Sequence, residues 1–221
     1  MKKWLYVFLL FAVLPAGAVQ QLNFNGFIAD EANLLSEKTE YNLNMTLWDL
    51  QKKSGADIAV VTLPSLNGKT VEETALEIGR GYKIGSKEKN NGVVFLTALS
   101  ERKMRIELGT GLEKKIKMSD LTSIRDNDIL PFYKQSKYER GIARGTYMLA
   151  DLVASAEGVN VIREGTCPER TNNSSSNTPW WVYLLAFILA PFSSRRRRYC
   201  GFSGGFGGGG GFGGCGCSGS W

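Results

Sequence analysis

One continuous stretch constrains this chain more than any other: Asn90-Asn-Gly-Val-Val-Phe-Leu-Thr-Ala-Leu99, a short link, then Lys103-Met-Arg-Ile-Glu-Leu-Gly-Thr-Gly-Leu-Glu113. Val93 to Leu96 is an unbroken apolar run, the pattern of a strand buried on both faces. Met104, Ile106 and Leu108 then alternate with Lys103, Arg105 and Glu107, the pattern of a half-buried strand. Ser100 to Arg102 fits a hairpin loop between the two. The pair reads as the centre of a sheet with an antiparallel neighbour.

The residues before it supply parallel neighbours. Phe27-Ile-Ala29, ending at Asp30, is a short first strand. Ser36 is placed to cap a helix whose Leu43, Leu47 and Leu50 share one face, and Ser54-Gly55 stops it. Ile58 to Leu63 is a second buried-strand run, ended by Pro64. Thr70-Val-Glu-Glu73 is a capping box, opening a helix with Val71, Ala75, Ile78 and Tyr82 on one stripe. Strand, helix and the Gly92–Ala98 strand therefore form a βαβ unit with parallel strands, and the first strand and helix make another such unit. Beyond Glu113, Ser119 caps a short helix carrying Leu121, Ile124 and Ile129, which Pro131 ends. Ser136-Lys-Tyr-Glu139 is a second capping box, for a helix with Tyr138, Ile142, Leu149 and Leu152 inward. Gly141 and Gly145 on that helix each cost about 1 kcal/mol relative to Ala, which points to close backbone packing. The expectation is an α/β domain over residues 19–158, with a central mixed sheet of about four strands flanked by helices.

The ends read as accessories. Residues 1–18 have Lys2 and Lys3, an apolar run from Trp4 to Leu14 and Ala16-Gly-Ala18, the layout of a secretory signal peptide. Residues 159–178 form a polar linker. Residues 179–194 read as one C-terminal membrane span, with Trp180, Trp181 and Tyr183 at one end and Arg195 to Arg198 at the other. About 16 residues rise about 24 Å as a helix, short of the ~30 Å hydrocarbon core, and snorkelling arginines make up length. Residues 195–221 are the arginine flank and a Gly/Phe/Cys low-complexity tail, expected to be disordered. This arrangement puts the domain on the extracytoplasmic side, with the arginine run and glycine-rich tail in the cytoplasm.

Charge and composition exclude several chemistries. The net charge of +6 is accounted for by Lys2, Lys3 and the four consecutive arginines, so the domain itself is near neutral and no nucleic-acid partner is expected. The sequence has no histidine, which removes Ser-His-Asp and Cys-His catalysis and every imidazole ligand. Its four cysteines, Cys167, Cys200, Cys215 and Cys217, all fall outside the predicted domain, so they build no disulfide framework for it. A metal on the domain needs oxygen ligands, hence Ca²⁺ or Mg²⁺.

In an open parallel sheet, ligands sit beyond the carboxyl ends of the strands. Those ends are Asp30, Pro64-Ser65 and Leu99-Ser-Glu-Arg102. Asp30 has the chemistry to ligate a hard cation and Arg102 to clamp an anion; the bland alternatives are a turn-capping Asp30 and a solvated hairpin Arg102. The opposite edge carries Asn90, Asn91, Gly109, Gly111 and Glu113. Gly109-Thr-Gly111 permits close backbone approach, though it does not lie between a strand and a helix as dinucleotide binding requires.

The pieces Asp30-Glu-Ala-Asn-Leu-Leu-Ser36, Gly55-Ala-Asp-Ile-Ala-Val-Val-Thr62, Ile84-Gly85 with Asn90-Asn-Gly92, Arg102 through Glu113, and Pro131-Phe-Tyr with Tyr138-Glu-Arg-Gly141 together resemble the TPM domain. That family includes thylakoid acid-phosphatase-like proteins, photosystem II repair proteins, an animal acetylcholine-receptor modulator and many bacterial membrane proteins. The tail ending Ser218-Gly-Ser-Trp221 resembles bacterial members with one span after the domain. The resemblance implies a compact α/β sandwich, a single anchor and an extracytoplasmic domain. By position, Asp30, Asn91, Arg102 and Glu113 match the family's recurrent polar positions, and Asp30 is the metal candidate. Thr110 departs from the family, where an aromatic residue is frequent.

Two functions follow as expectations. One is a membrane-tethered extracytoplasmic interaction module for assembly or repair of an envelope complex, with a membrane-protein partner. The alternative is a divalent-cation-dependent acid phosphatase, with Ca²⁺ or Mg²⁺ at Asp30 and phosphate on Arg102.

Overall fold

The computed structural model describes residues 21–161 and 205–221. The expected signal peptide, all but the start of the linker, the apolar 179–194 segment and the arginine run lie outside the described residues. Among the described residues, no helix is long and apolar enough to cross a membrane.

The chain runs β1 (Ile28–Asp30), α1 (Glu37–Ser54), β2 (Asp57–Leu63), α2 (Val71–Gly81), β3 (Gly92–Ala98), β4 (Lys103–Gly109), α3 (Thr110–Glu113) and α4 (Met118–Ile124). A π-helical turn (Arg125–Ile129), α5 (Leu130–Tyr133), α6 (Tyr138–Glu157) and β5 (Phe212–Ser220) complete it. The five strands lie side by side in chain order. β1, β2 and β3 are parallel; β4 is antiparallel to β3, and β5 to β4.

Local chemistry sets the element ends as expected. The Ser36 hydroxyl accepts from the Thr39 amide at 3.3 Å, and Gly55 closes α1 at φ 74° with its amide on the Gln51 carbonyl. Thr70 and Glu73 form a reciprocal capping box at the start of α2, both bonds at 3.1 Å. β2 and β3 are buried along their whole length, because α1 and α6 cover one face of the sheet and α2 the other. Gly141 and Gly145 bring α6 in close: a Cβ at Gly141 would lie 2.7 Å from the Tyr133 ring, and one at Gly145 2.6 Å from Ile129.

Three local expectations are corrected. Ser119 does not cap a helix; it lies within α4, which begins after Lys117 with no side-chain cap. Pro131 does not end a helix. It sits in the first turn of α5, where its missing N–H costs least, after the π turn has offset the hydrogen-bond ladder. Ser136 and Glu139 form no capping box; α6 begins after Lys137 with no side-chain cap. Glu139 instead reaches across to α1, where its Oε1 accepts from the Ser36 amide at 3.1 Å and the Thr39 hydroxyl at 2.7 Å.

The largest correction concerns the tail. The sheet has five strands rather than about four, and the glycine-rich segment expected to be disordered supplies the fifth. Glycine here buys backbone proximity: a Cβ at Gly216 would come 2.2 Å from the Ile106 carbonyl oxygen, and one at Gly209 2.6 Å from that of Gly85. The strand pairs an edge of β4 that would otherwise present a row of unsatisfied backbone groups. Cys217, opposite Ile106, is therefore part of the core, contrary to the expectation that every cysteine lies outside the fold; it and Cys215 are free thiols.

Candidate functional site

The four residues singled out by sequence do not converge. Asp30 and Arg102 lie at the carboxyl ends of β1 and β3, whereas Asn91 precedes β3 and Glu113 follows β4 at the other end. A seven-residue strand, about 20 Å long, separates the two pairs.

Asp30 serves the turn before α1. Its Oδ1 accepts from the Leu34 amide at 3.0 Å and from the Thr62 hydroxyl, and its Oδ2 accepts from the Leu35 amide at 2.8 Å. Both oxygens thus hold the turn and the end of β2, the capping role that this position allows. Arg102 is an exposed hairpin residue at φ 51°; its carbonyl accepts from the Trp221 amide at 3.3 Å. At the opposite end, Asn91 is fully buried, with Oδ1 accepting from the Ser86 amide at 3.1 Å and Nδ2 lacking a partner. Glu113 is half-buried and its Oε1 also lacks a partner.

A denser polar cluster lies where α2 covers β4 and β5. The Arg105 guanidinium donates to Glu107 Oε2 at 2.9 and 2.6 Å, to the Ser218 hydroxyl at 3.0 Å and to the Gly214 carbonyl at 3.1 Å. The Ser218 hydroxyl in turn donates to Glu72, which holds the Glu72 carboxyl below its usual range. Burial pushes the fully enclosed Glu107 carboxyl up, against the pull of Arg105. Sequence reasoning passed over this cluster because the polar residues of β4 read as a solvated face. Their burial depends on β5, which arrives from more than a hundred residues away.

This cluster falls short of a metal cage. Glu107 and Glu113 each have one buried oxygen without a partner, and the charge on Glu113 helps to raise Glu107. Two carboxylates supply few of the 6–8 oxygens that Ca²⁺ takes. Among the described residues, no group of three or more acidic or cysteine side chains is arranged to hold a metal. The arrangement fits structural ion pairing.

The described surface also has an open groove of about 530 Å³ along α6, lined by Phe132, Arg140, Ala143, Arg144, Tyr147 and Met148. The α6 residues recur at intervals of three and four and form an outward stripe, distinct from the inward Ile142–Leu149 stripe. Arg140 and Arg144 are exposed at the rim, with Arg144 donating to Asp128 at 2.6 Å.

The family model described as the TPM domain matches residues 28–152. The chain belongs to the TPM domain family. Among solved structures, the N-terminal domain of a protein from P. gingivalis is similar at 28% identity and a TM-score of 0.54, covering 61% of this chain and 86% of that one. A protein from the psychrophilic bacterium Bizionia argentinensis is similar at 20% identity and a TM-score of 0.49, covering 56% of this chain and 83% of that one. No curated protein matches the chain.

The TPM match takes in β1 to β4 and the first three-quarters of α6, hence both the groove and the Arg105–Glu107 pair. The tail strand β5 lies outside it. In this TPM domain, one polar cluster is therefore built jointly by family-matched residues and by an appended C-terminal segment.

Proposed function

We propose that this TPM domain acts as a membrane-tethered, extracytoplasmic interaction module that assists assembly or repair of an envelope membrane complex. The α6 groove carries the reading. Its floor is apolar and its rim holds Arg140 and Arg144, which suits an amphipathic segment with acidic flanks from a membrane-protein subunit. The tethering element is the aromatic and apolar 179–194 segment with the arginines after it. Because β5 packs on the domain, we place tail and domain on the same side of the membrane, in place of the expected cytoplasmic tail, with the 179–194 segment lying in the membrane interface instead of crossing once.

Photocrosslinking from Ala143 in intact membranes tests this. A membrane protein is expected to be captured, and capture is expected to fail when Arg140→Glu and Arg144→Glu reverse the rim. Capture that survives the double reversal, or no capture at all, overturns the reading. The alternative, a divalent-cation-dependent acid phosphatase, has less support, because the Asp30 oxygens are held by the Leu34 and Leu35 amides and the Thr62 hydroxyl. No catalytic step is derived through a cation there.

A further inference from the structure

The tail is held as a bound peptide is held. Phe206 inserts edge-on between Phe24 and Phe27, with ring centroids 5.0 and 6.0 Å away. The Gly207 amide donates to Asp57 at 2.7 Å and the Gly211 amide to the Asn90 side chain at 3.2 Å. The Thr110 amide donates to the Gly211 carbonyl at 2.8 Å, and Arg80 donates to the Phe212 carbonyl at 2.7 Å. From Phe212 to Ser220 the segment pairs with β4, and Trp221 ends it with its ring 4.5 Å from that of Tyr133. Main-chain pairing along a sheet edge, with side-chain anchors at intervals, is the mode of β-strand addition. The close approaches at Gly209, Gly211 and Gly216 make the seat selective for glycine at those positions.

We propose that the β4 edge, with its flanking anchor seats, is a strand-acceptor site that takes the C-terminal tail of a second copy of this chain, the tail of the same copy being its resident occupant. Two observations favour this occupant. The tail is the sequence whose glycines and aromatics match the seat, and every copy carries one. Residues 162–204 separate Val161 from Gly205, and at ~3.3–3.6 Å per residue such a connection spans at most roughly 160 Å, well beyond one domain. The covalent path therefore does not tie a tail to its own β4. Exchange becomes competitive when copies are concentrated together, since cis docking is favoured only by effective concentration. This inference goes beyond the interaction-module reading and does not depend on the α6 groove.

The test uses the cross-strand pair Lys103 and Ser220, which lie directly opposite. Cross-strand Cα separations of about 4.5–5.5 Å fall within disulfide range. Full-length chains are prepared with Cys167, Cys200 and Cys215 replaced by Ser and Cys217 by Ala. One copy carries Lys103→Cys and a differently tagged copy carries Ser220→Cys; they are co-expressed and oxidised in membranes. A disulfide-linked heterodimer, increasing with expression level, is the expected result. The double variant Lys103→Cys/Ser220→Cys is run in parallel. If it closes within one chain while the single variants give no heterodimer, the tail is confined to its own domain and the proposal is overturned. If neither bond forms, the acceptor site itself is overturned.

Discussion

Gly207 and Asp57, 150 positions apart, are joined by a hydrogen bond in which the Gly207 amide donates to Asp57 Oδ2 at 2.7 Å. The same oxygen accepts from the Gly85 amide at 2.9 Å, and Oδ1 accepts from the Gln51 side chain at 2.6 Å. A fully buried carboxylate at the start of β2 thus ties together α1, the loop before β3 and the tail. Burial pushes this carboxyl up, while the three hydrogen bonds oppose that push.

Asp57→Ala is expected to cost about 2–4 kcal/mol, because it leaves the buried Gly85 amide without its acceptor. The sharper readout is local. Amide hydrogen exchange at Gly207 and Gly85 should accelerate beyond the amount explained by the loss of global stability. Exchange at Gly207 equal in variant and parent would mean that Asp57 does not hold the tail.

Phe212 measures the tail's contribution independently. Its ring is 4% exposed and covers Gly79, where a Cβ would stand 2.7 Å from it. Phe212→Ala is expected to cost about 3–5 kcal/mol in a denaturant melt, as for other buried aromatic residues. Gly79→Ala should destabilise alone but cost much less in the Phe212→Ala background, where the methyl has room, and a double-mutant cycle reads that coupling. A free tail would instead give changes within about 0.5 kcal/mol for Phe212→Ala.

The sheet centre and the two βαβ units were legible because their signals are local. Apolar runs, a serine cap and a capping box act over a few residues and leave little competition. The α4–α6 region was less so. Glu139 has the spacing of a capping partner for Ser136 but finds Ser36 and Thr39 on another helix, a contact visible only once α1 and α6 are packed. The tail was the least legible part. Glycine carries no periodicity, and its value at Gly209 and Gly216 comes from carbonyl oxygens distant in sequence. The same cause hid Arg105 and Glu107, whose alternation with Met104 and Ile106 correctly separated two faces but said nothing of what would cover the polar one. Of the site residues, Asp30 makes the turn-capping bonds that its position before Ser36 allows.

Glu139 gives a pH prediction. Hydrogen bonds from Ser36 and Thr39 hold its carboxyl below the usual glutamate value of 4.5. A carboxyl depressed in the folded state stabilises fully above its unfolded value, and that stabilisation is lost as pH falls through the folded value. Glu139→Gln is therefore expected to cost less than about 1 kcal/mol at neutral pH, because solvent screens this mostly accessible carboxyl, with parent and variant converging as pH drops below 4.5. Thermal melts across that range check it. A gap that stays constant with pH would show that the charge on Glu139 plays no part in joining α6 to α1.

Asp30 separates a structural role from a ligand role. Removing its carboxylate leaves the Leu34 and Leu35 amides and the Thr62 hydroxyl without their acceptor, so Asp30→Ala is expected to cost about 1–3 kcal/mol. Asp30→Asn, which keeps one acceptor oxygen, should cost less. Because both oxygens already serve the chain, calorimetric titration with Ca²⁺ or Mg²⁺ should give the same heats for Asp30→Asn as for the parent. The opposite pattern, in which Asp30→Asn keeps its stability but loses a saturable cation heat, would mean that Asp30 releases its amides to bind metal, and would return the phosphatase reading to the carboxyl ends of the strands.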